Sequence, residues 1–191
     1  MIRGRRVALR PLEVEDLPLV QRWQNHPEVW WYMDYELPFS LEDVRADMER
    51  SRAEGHPFVI TVEGRPVGRI GLNKFSRRDR RCALYLFIGE PELWGRGYAR
   101  DAVMALLDFA FGRLDLHMVE LWTLAANDRV IGVYERCGFR REATLRERSW
   151  KDGTWVDHVV LSVTREEFEE PRRAWADADE RAPTRGSETR S

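Results

Sequence analysis

The chain has 191 residues, enough for one domain with a sizeable core, and its 43% hydrophobic and 34% charged content fits a globular protein. A formal net charge of -2 argues against nucleic acid, which asks for a basic surface, and two cysteines exclude a disulfide framework. No stretch approaches the roughly 20 apolar residues of a membrane span, and the N-terminal residues lack the apolar region of a signal peptide, so a cytoplasmic protein with no membrane partner is expected.

Val7 to Leu12 reads as a first strand. Glu13 to Gln24 follows as a helix, with Leu17, Val20 and Trp23 on one face, ended by His26-Pro27 because the residue before proline avoids helical angles. An irregular aromatic segment runs from Val29 to Phe39. Ser40 with Asp43 opens a second helix, whose apolar face is Val44 and Met48 and whose stop is Gly55. Phe58 to Val62 and Pro66 to Leu72 are strands joined by a short glycine-containing hairpin. The basic turn Arg77 to Arg81 leads into the apolar strand ending at Phe87-Ile88.

That strand breaks at Gly89-Glu90-Pro91 and is followed by Trp94-Gly95-Arg96-Gly97-Tyr98-Ala99 and a helix from Tyr98 to Arg113. Strand, glycine loop and helix start form a phosphate-holding device. Glycine lets the backbone approach, and the first-turn N–H groups have no partner within the helix. His117 to Leu124 is a strand, Asp128 to Arg136 a helix stopped by Gly138, and Phe139 to Trp150 with Trp155 to Val163 a last pair about Asp152-Gly153. From Pro171 the composition turns polar, so residues 1–170 are read as one domain and 171–191 as a disordered tail. The whole is a mixed α/β sheet, antiparallel at its hairpins and crossed by helices.

Four features in order resemble the GNAT N-acetyltransferases over about residues 5 to 168: the Trp94–Ala99 loop, the segment Leu114 to Leu121, Asn127 with Tyr134 and Cys137-Gly138-Phe139, and the Trp150–Trp155 hairpin. Within the family, the chain is similar to the branch of ribosomal-protein N-terminal acetyltransferases and spermidine N-acetyltransferase. The resemblance implies the acyl-CoA N-acyltransferase fold, a twisted mixed sheet with a V-shaped splay between its fourth and fifth strands and about four flanking helices. It implies acetyl-CoA as co-substrate and no metal. It assigns CoA contacts to Phe87, Ile88, Gly89, Trp94, Gly95, Arg96, Gly97, Tyr98, Ala99, Arg100, Asn127 and Tyr134, with Tyr134 protonating the CoA thiolate.

The chain departs from the family at two points. Trp94 stands where Gln or Arg is usual, and no carboxylate lies between Cys82 and Gly89, where many relatives carry a glutamate base. Glu90, Asp34, Glu36 and His117 are the candidates, and none is assigned. The missing carboxylate keeps a second reading open, a catalytically weak CoA-binding sensor or interaction module.

The family's acceptor wall corresponds to Trp30-Trp31-Tyr32-Met33-Asp34-Tyr35-Glu36. Aromatic faces with two carboxylates suit a cationic amine, each good cation–π contact contributing about 0.5–2 kcal/mol. Trp30, Trp31, Tyr32, Asp34 and Glu36 are therefore the expected binders of a polyamine, small amine or peptide N-terminus. A homodimer, with the last strands as an edge, is a further expectation.

Overall fold

In the computed structural model, which describes residues 1–33 and 38–180, the strands form one mixed sheet in the order β1-β2-β3-β4-β5-β6-β8-β7. They are β1 (Ile2–Arg3), β2 (Ala8–Pro11), β3 (His56–Val62), β4 (Arg65–Ser76), β5 (Arg81–Ile88), β6 (Met118–Leu124), β7 (Arg140–Lys151) and β8 (Thr154–Thr164). The helices are α1 (Leu17–Gln24), α2 (Pro27–Tyr32), α3 (Leu41–Glu54), α4 (Tyr98–Gly112), α5 (Asp128–Glu135) and α6 (Arg165–Glu180). Among the described residues no helix is long and apolar enough to cross a membrane.

Local chemistry sets most of these elements. Asp152 and Gly153 sit at φ 44° and 83°, the left-handed pair that a two-residue hairpin needs to match strand twist. Ser40 and Asp43 form a capping box at the start of α3, and Val44 and Met48 are its buried face. Alternation along β5 sends Leu84 and Ile88 to the core under α4 and α5, and Phe87 to the second core with Trp23, Val44 and Met48. Trp94 packs against both cores.

The pair that positions the site is β5–β6. It is the parallel pair of the sheet, and it holds register only from Arg81–Ala83 against Met118–Glu120. Beyond Ala83 the two strands part, β5 continuing to Ile88 beside β4 and β6 to Leu124 beside β8. This is the expected V, between the fourth and fifth of the strands read from the sequence.

Three features differ from the sequence reading. Residues 27–32, read as irregular, form α2, because Pro27 occupies its first turn and His26 takes the extended angles (φ -70°, ψ 125°) that a residue before proline prefers. Ile2–Arg3 adds a short strand, β1, to the sheet edge. The boundary drawn at Pro171 falls inside α6, which runs to Glu180. Its polar composition hides an anchored face: Phe168 is fully buried, Arg172 Nε bonds Asp108 at 2.5 Å, and Trp175 Nε1 bonds Asp101 at 2.9 Å.

Candidate active site

The loop after β5 ends in two glycines that must be glycines for conformational reasons. Gly95 has φ 78° and Gly97, the N-cap of α4, has φ 86°. A Cβ on Gly95 would meet nothing within 4 Å, and one on Gly97 would come no closer than 3.7 Å to Arg6 Nη1. Room is ample, and the left-handed backbone is what disfavours a side chain, by about 1–2 kcal/mol. The first bond inside α4 runs from Asp101 N–H to Gly97 O, so the N–H groups of Tyr98, Ala99 and Arg100 precede the ladder at the positive end of the helix dipole.

Two side chains from distant sequence fix this loop. Arg6 donates from Nη1 to Arg96 O at 2.7 Å, and its guanidinium lies 4.6 Å from the centre of the Tyr98 ring. Asp101, 6% exposed, accepts from the backbone N–H groups of Arg5, Arg6 and Val7 at 3.1, 2.7 and 3.0 Å, and from Trp175 Nε1 at 2.9 Å. One carboxylate thus joins the β1–β2 turn, the first turn of α4 and α6. No sequence motif marks Arg6 or Asp101.

A cavity of about 530 Å³ extends from this loop through the β5–β6 splay. Of the expected CoA contacts, it is lined by Phe87, Ile88, Trp94, Gly95, Gly97, Tyr98, Ala99, Arg100, Asn127 and Tyr134; of the acceptor residues, by Tyr32. Arg96 presents its carbonyl to Arg6 and does not line the cavity, nor do Trp30 and Trp31 on α2. Gly89 faces elsewhere: its N–H bonds Val67 O at 2.9 Å, and a Cβ on it would lie 2.1 Å from Trp23 Cγ. Asp34 and Glu36 lie outside the described residues.

Trp94 acts as a strut. Its Nε1 donates to Ile88 O at 2.9 Å, its ring meets Tyr32 edge-on at 6.0 Å, and Arg129 stacks over it at 5.7 Å. Asn127 is the N-cap of α5, and its carbonyl accepts from Val130 and Ile131, but its side chain makes no capping bond. Tyr134 on α5 is 5% exposed and packs its ring 5.5 Å from Phe139. Burial pushes its phenol well above the ordinary tyrosine range, so it stays protonated through neutral pH. Burial likewise pushes the neighbouring Cys137 thiol up to about 12.

Two base candidates are accounted for elsewhere. Burial would raise the Glu90 pKa, but bonds from Trp23 Nε1 (2.9 Å) and Arg22 (2.6 Å), with the Arg22 and Arg65 charges, outweigh it and hold the carboxyl below its usual range. A carboxylate so held is a poor proton acceptor. His117 sits at the closed end of the V, its N–H bonded to Arg80 O and its carbonyl to Arg165 N–H, and it does not line the cavity.

Other residues in and beside the cavity escape a sequence reading. Arg129 on α5 and Arg136 just past its end join Arg100 as positive charges along the cavity, and His158 on β8 lines it as well. Lys151, 9% exposed, reaches from the end of β7 to donate to Met33 O at 2.6 Å, tying the hairpin to the end of α2. The arrangement can hold an anion at one end, an extended chain along the splay and a reacting centre beside a protonated phenol.

Residues 6–140 match the family model described as the acetyltransferase (GNAT) domain. Spermidine N(1)-acetyltransferase of Escherichia coli K12 is 27% identical over 165 residues, covering 85% of this chain and 88% of the relative. A putative ribosomal N-acetyltransferase of Bacillus subtilis is 27% identical over 169 residues, covering 84% and 91%. Among solved structures, Mycobacterium smegmatis RimJ in complex with CoA-disulfide has a TM-score of 0.78 at 26% identity, covering 92% of this chain and 90% of that one. Vibrio cholerae spermidine N-acetyltransferase in complex with CoA and spermine shares the fold, with a TM-score of 0.79 at 24% identity over 85% and 98%. The chain therefore belongs to the GNAT acetyltransferase family and is an acetyl-CoA-dependent N-acetyltransferase.

Proposed function

We propose that the protein transfers an acetyl group from acetyl-CoA to a primary amine of a polyamine, a small molecule or a peptide N-terminus, by direct attack, with Tyr134 protonating the departing thiolate. The observation that carries the reading is that the glycine-loop cradle and Tyr134 line one continuous cavity through the β5–β6 splay. Relatives named for spermidine and for ribosomal acetylation support an amine as acceptor.

In this reading the pyrophosphate of CoA lies against the N–H groups from Gly95 to Arg100, where the helix dipole favours negative charge. Arg100, Arg129 and Arg136 add three cationic side chains along the same cavity. The pantetheine arm follows the part of β5 that β6 leaves unpaired, bonding it as an added strand would. The Tyr134 phenol, kept neutral by burial, then holds a proton where the thiolate leaves.

No aspartate or glutamate lines the cavity among the described residues. Recognition of a cationic acceptor is therefore assigned to Asp34 and Glu36, which follow α2 in sequence, together with the ring of Tyr32. A thiol-release assay with acetyl-CoA and a panel of polyamines, small amines and peptides tests the reading. Release with at least one amine supports it. CoA binding without release on any amine overturns it in favour of a binding module.

A further inference from the structure

The cavity needs a group that takes a proton from the acceptor, because amines arrive as ammonium ions at neutral pH and an ammonium has no lone pair. The titratable side chains that line it among the described residues are four tyrosines, three arginines and one histidine. Arginines do not give up their protons and tyrosines do so only at about pH 10 or above, so His158 is the one side chain among them of a type suited to accept a proton near neutral pH.

The fold places His158 with care. It is 3% exposed, on β8, directly opposite Leu124 at the open end of β6, and Leu124 lines the same cavity. On its other side β7 carries a bulge between Leu145 and Ser149, where Glu147 takes φ 52° and its N–H bonds Asp157 Oδ1 at 2.8 Å. The bulge brings Ser149 Oγ to 3.0 Å from His158 Nε2. Bulges next to active sites commonly re-aim a side chain in this way. The charged residues near His158 in sequence and register, among those described, are Asp157 on β8 and the exposed Arg146, Glu147 and Arg148 in the β7 bulge, and Arg136 lines the same cavity.

We infer that His158 is the proton acceptor that converts the bound ammonium to an attacking amine, with Ser149 as the positioning residue for its ring; the inference rests on the amine-acetylating function proposed above. The neutral imidazole takes one proton from R–NH3⁺ and becomes imidazolium. The freed lone pair forms the N–C bond at the acetyl carbonyl, the C–S bond breaks, and sulfur keeps that electron pair and takes the Tyr134 proton. The remaining excess proton on nitrogen replaces the one Tyr134 gave, and the imidazolium returns its proton to solvent. One proton is released per turnover.

The experiment is the pH dependence of amine kcat/KM for the full chain, His158→Gln and Ser149→Ala, beside an NMR titration of the histidine rings of the wild type. The wild type is expected to show an acid limb whose midpoint coincides with the titration of the His158 ring. His158→Gln is expected to lose the limb and about 10²–10⁴-fold in kcat/KM at pH 7 with CoA affinity kept. Ser149→Ala should keep the limb at a displaced midpoint. A wild-type limb retained in His158→Gln, or a His158 ring that holds one charge state across the limb, overturns the inference alone. The ring titration needs no variant to fold. A wild type that binds CoA and acetylates no amine overturns the function and this inference together.

Discussion

The two ends of the cavity are built on different physical principles. The end proposed to hold the donor is backbone: two left-handed glycines, a helix start and a carboxylate that gathers three N–H groups. The other end is side chains converging from separate elements: Tyr32 at the end of α2, Trp94 between the two cores and His158 of β8. A backbone cradle serves any ligand with a phosphate bridge, so it can be common to a whole family. A wall of side chains can be rebuilt one residue at a time, which suits the half of the site that chooses an acceptor.

That contrast can be broken by experiment. Tyr134→Phe, at the junction, should lower kcat about 10²–10⁴-fold while leaving the Kd for CoA unchanged in calorimetry. A matching loss of CoA affinity would move Tyr134 into the donor cradle. Asp101→Ala strips an acceptor from three backbone N–H groups and one indole, and should cost about 3 kcal/mol in denaturant unfolding and weaken CoA binding, with amine KM little changed. Gly97→Ala forces a side chain into φ 86°, for an expected cost of about 1–2 kcal/mol read as a lower melting temperature or weaker CoA binding. An unaltered protein would mean that the loop relaxes to another conformation.

On the acceptor side, Asp34→Asn with Glu36→Gln should raise amine KM about 10-fold, the worth of one charge-assisted contact, and leave CoA affinity alone. No rise in KM would remove both acids from the site. The smallest effect is at Glu90, whose folded pKa is lowered. Its contribution to stability is complete above the unfolded glutamate value near 4.3 and disappears as pH falls through the lower folded value. Glu90→Gln should therefore melt below the wild type at pH 7, with the gap closing under acid.

The same division decides what the sequence discloses. The glycine loop, the Asp152-Gly153 hairpin, the Ser40–Asp43 cap and the strands of the V are local signals, written within a few neighbouring residues. Lys151 and Met33 are 118 positions apart, and Asp101 meets Val7 across 94, so no spacing rule joins either pair. His158 reads as one more inward residue of an alternating strand until the β7 bulge is seen. The stretch after Pro171 was hidden for a related reason: its polar composition matches a solvated tail, and α6 docks through a few widely spaced residues, Phe168 before the proline with Arg172 and Trp175 after it.

The Asp101 junction has a thermodynamic consequence. Because one carboxylate closes the turn before β2, the start of α4 and the indole of α6, the geometry proposed to receive a phosphate and the cohesion of three remote segments are a single equilibrium. A ligand that selects this arrangement must also suppress fraying of α6 on the far side of the junction. Saturation at about 100 times Kd is equivalent to about 2.7 kcal/mol of added stability. Slower amide exchange along Arg165–Glu180, remote in sequence from the glycine loop, would then report occupancy of the donor end.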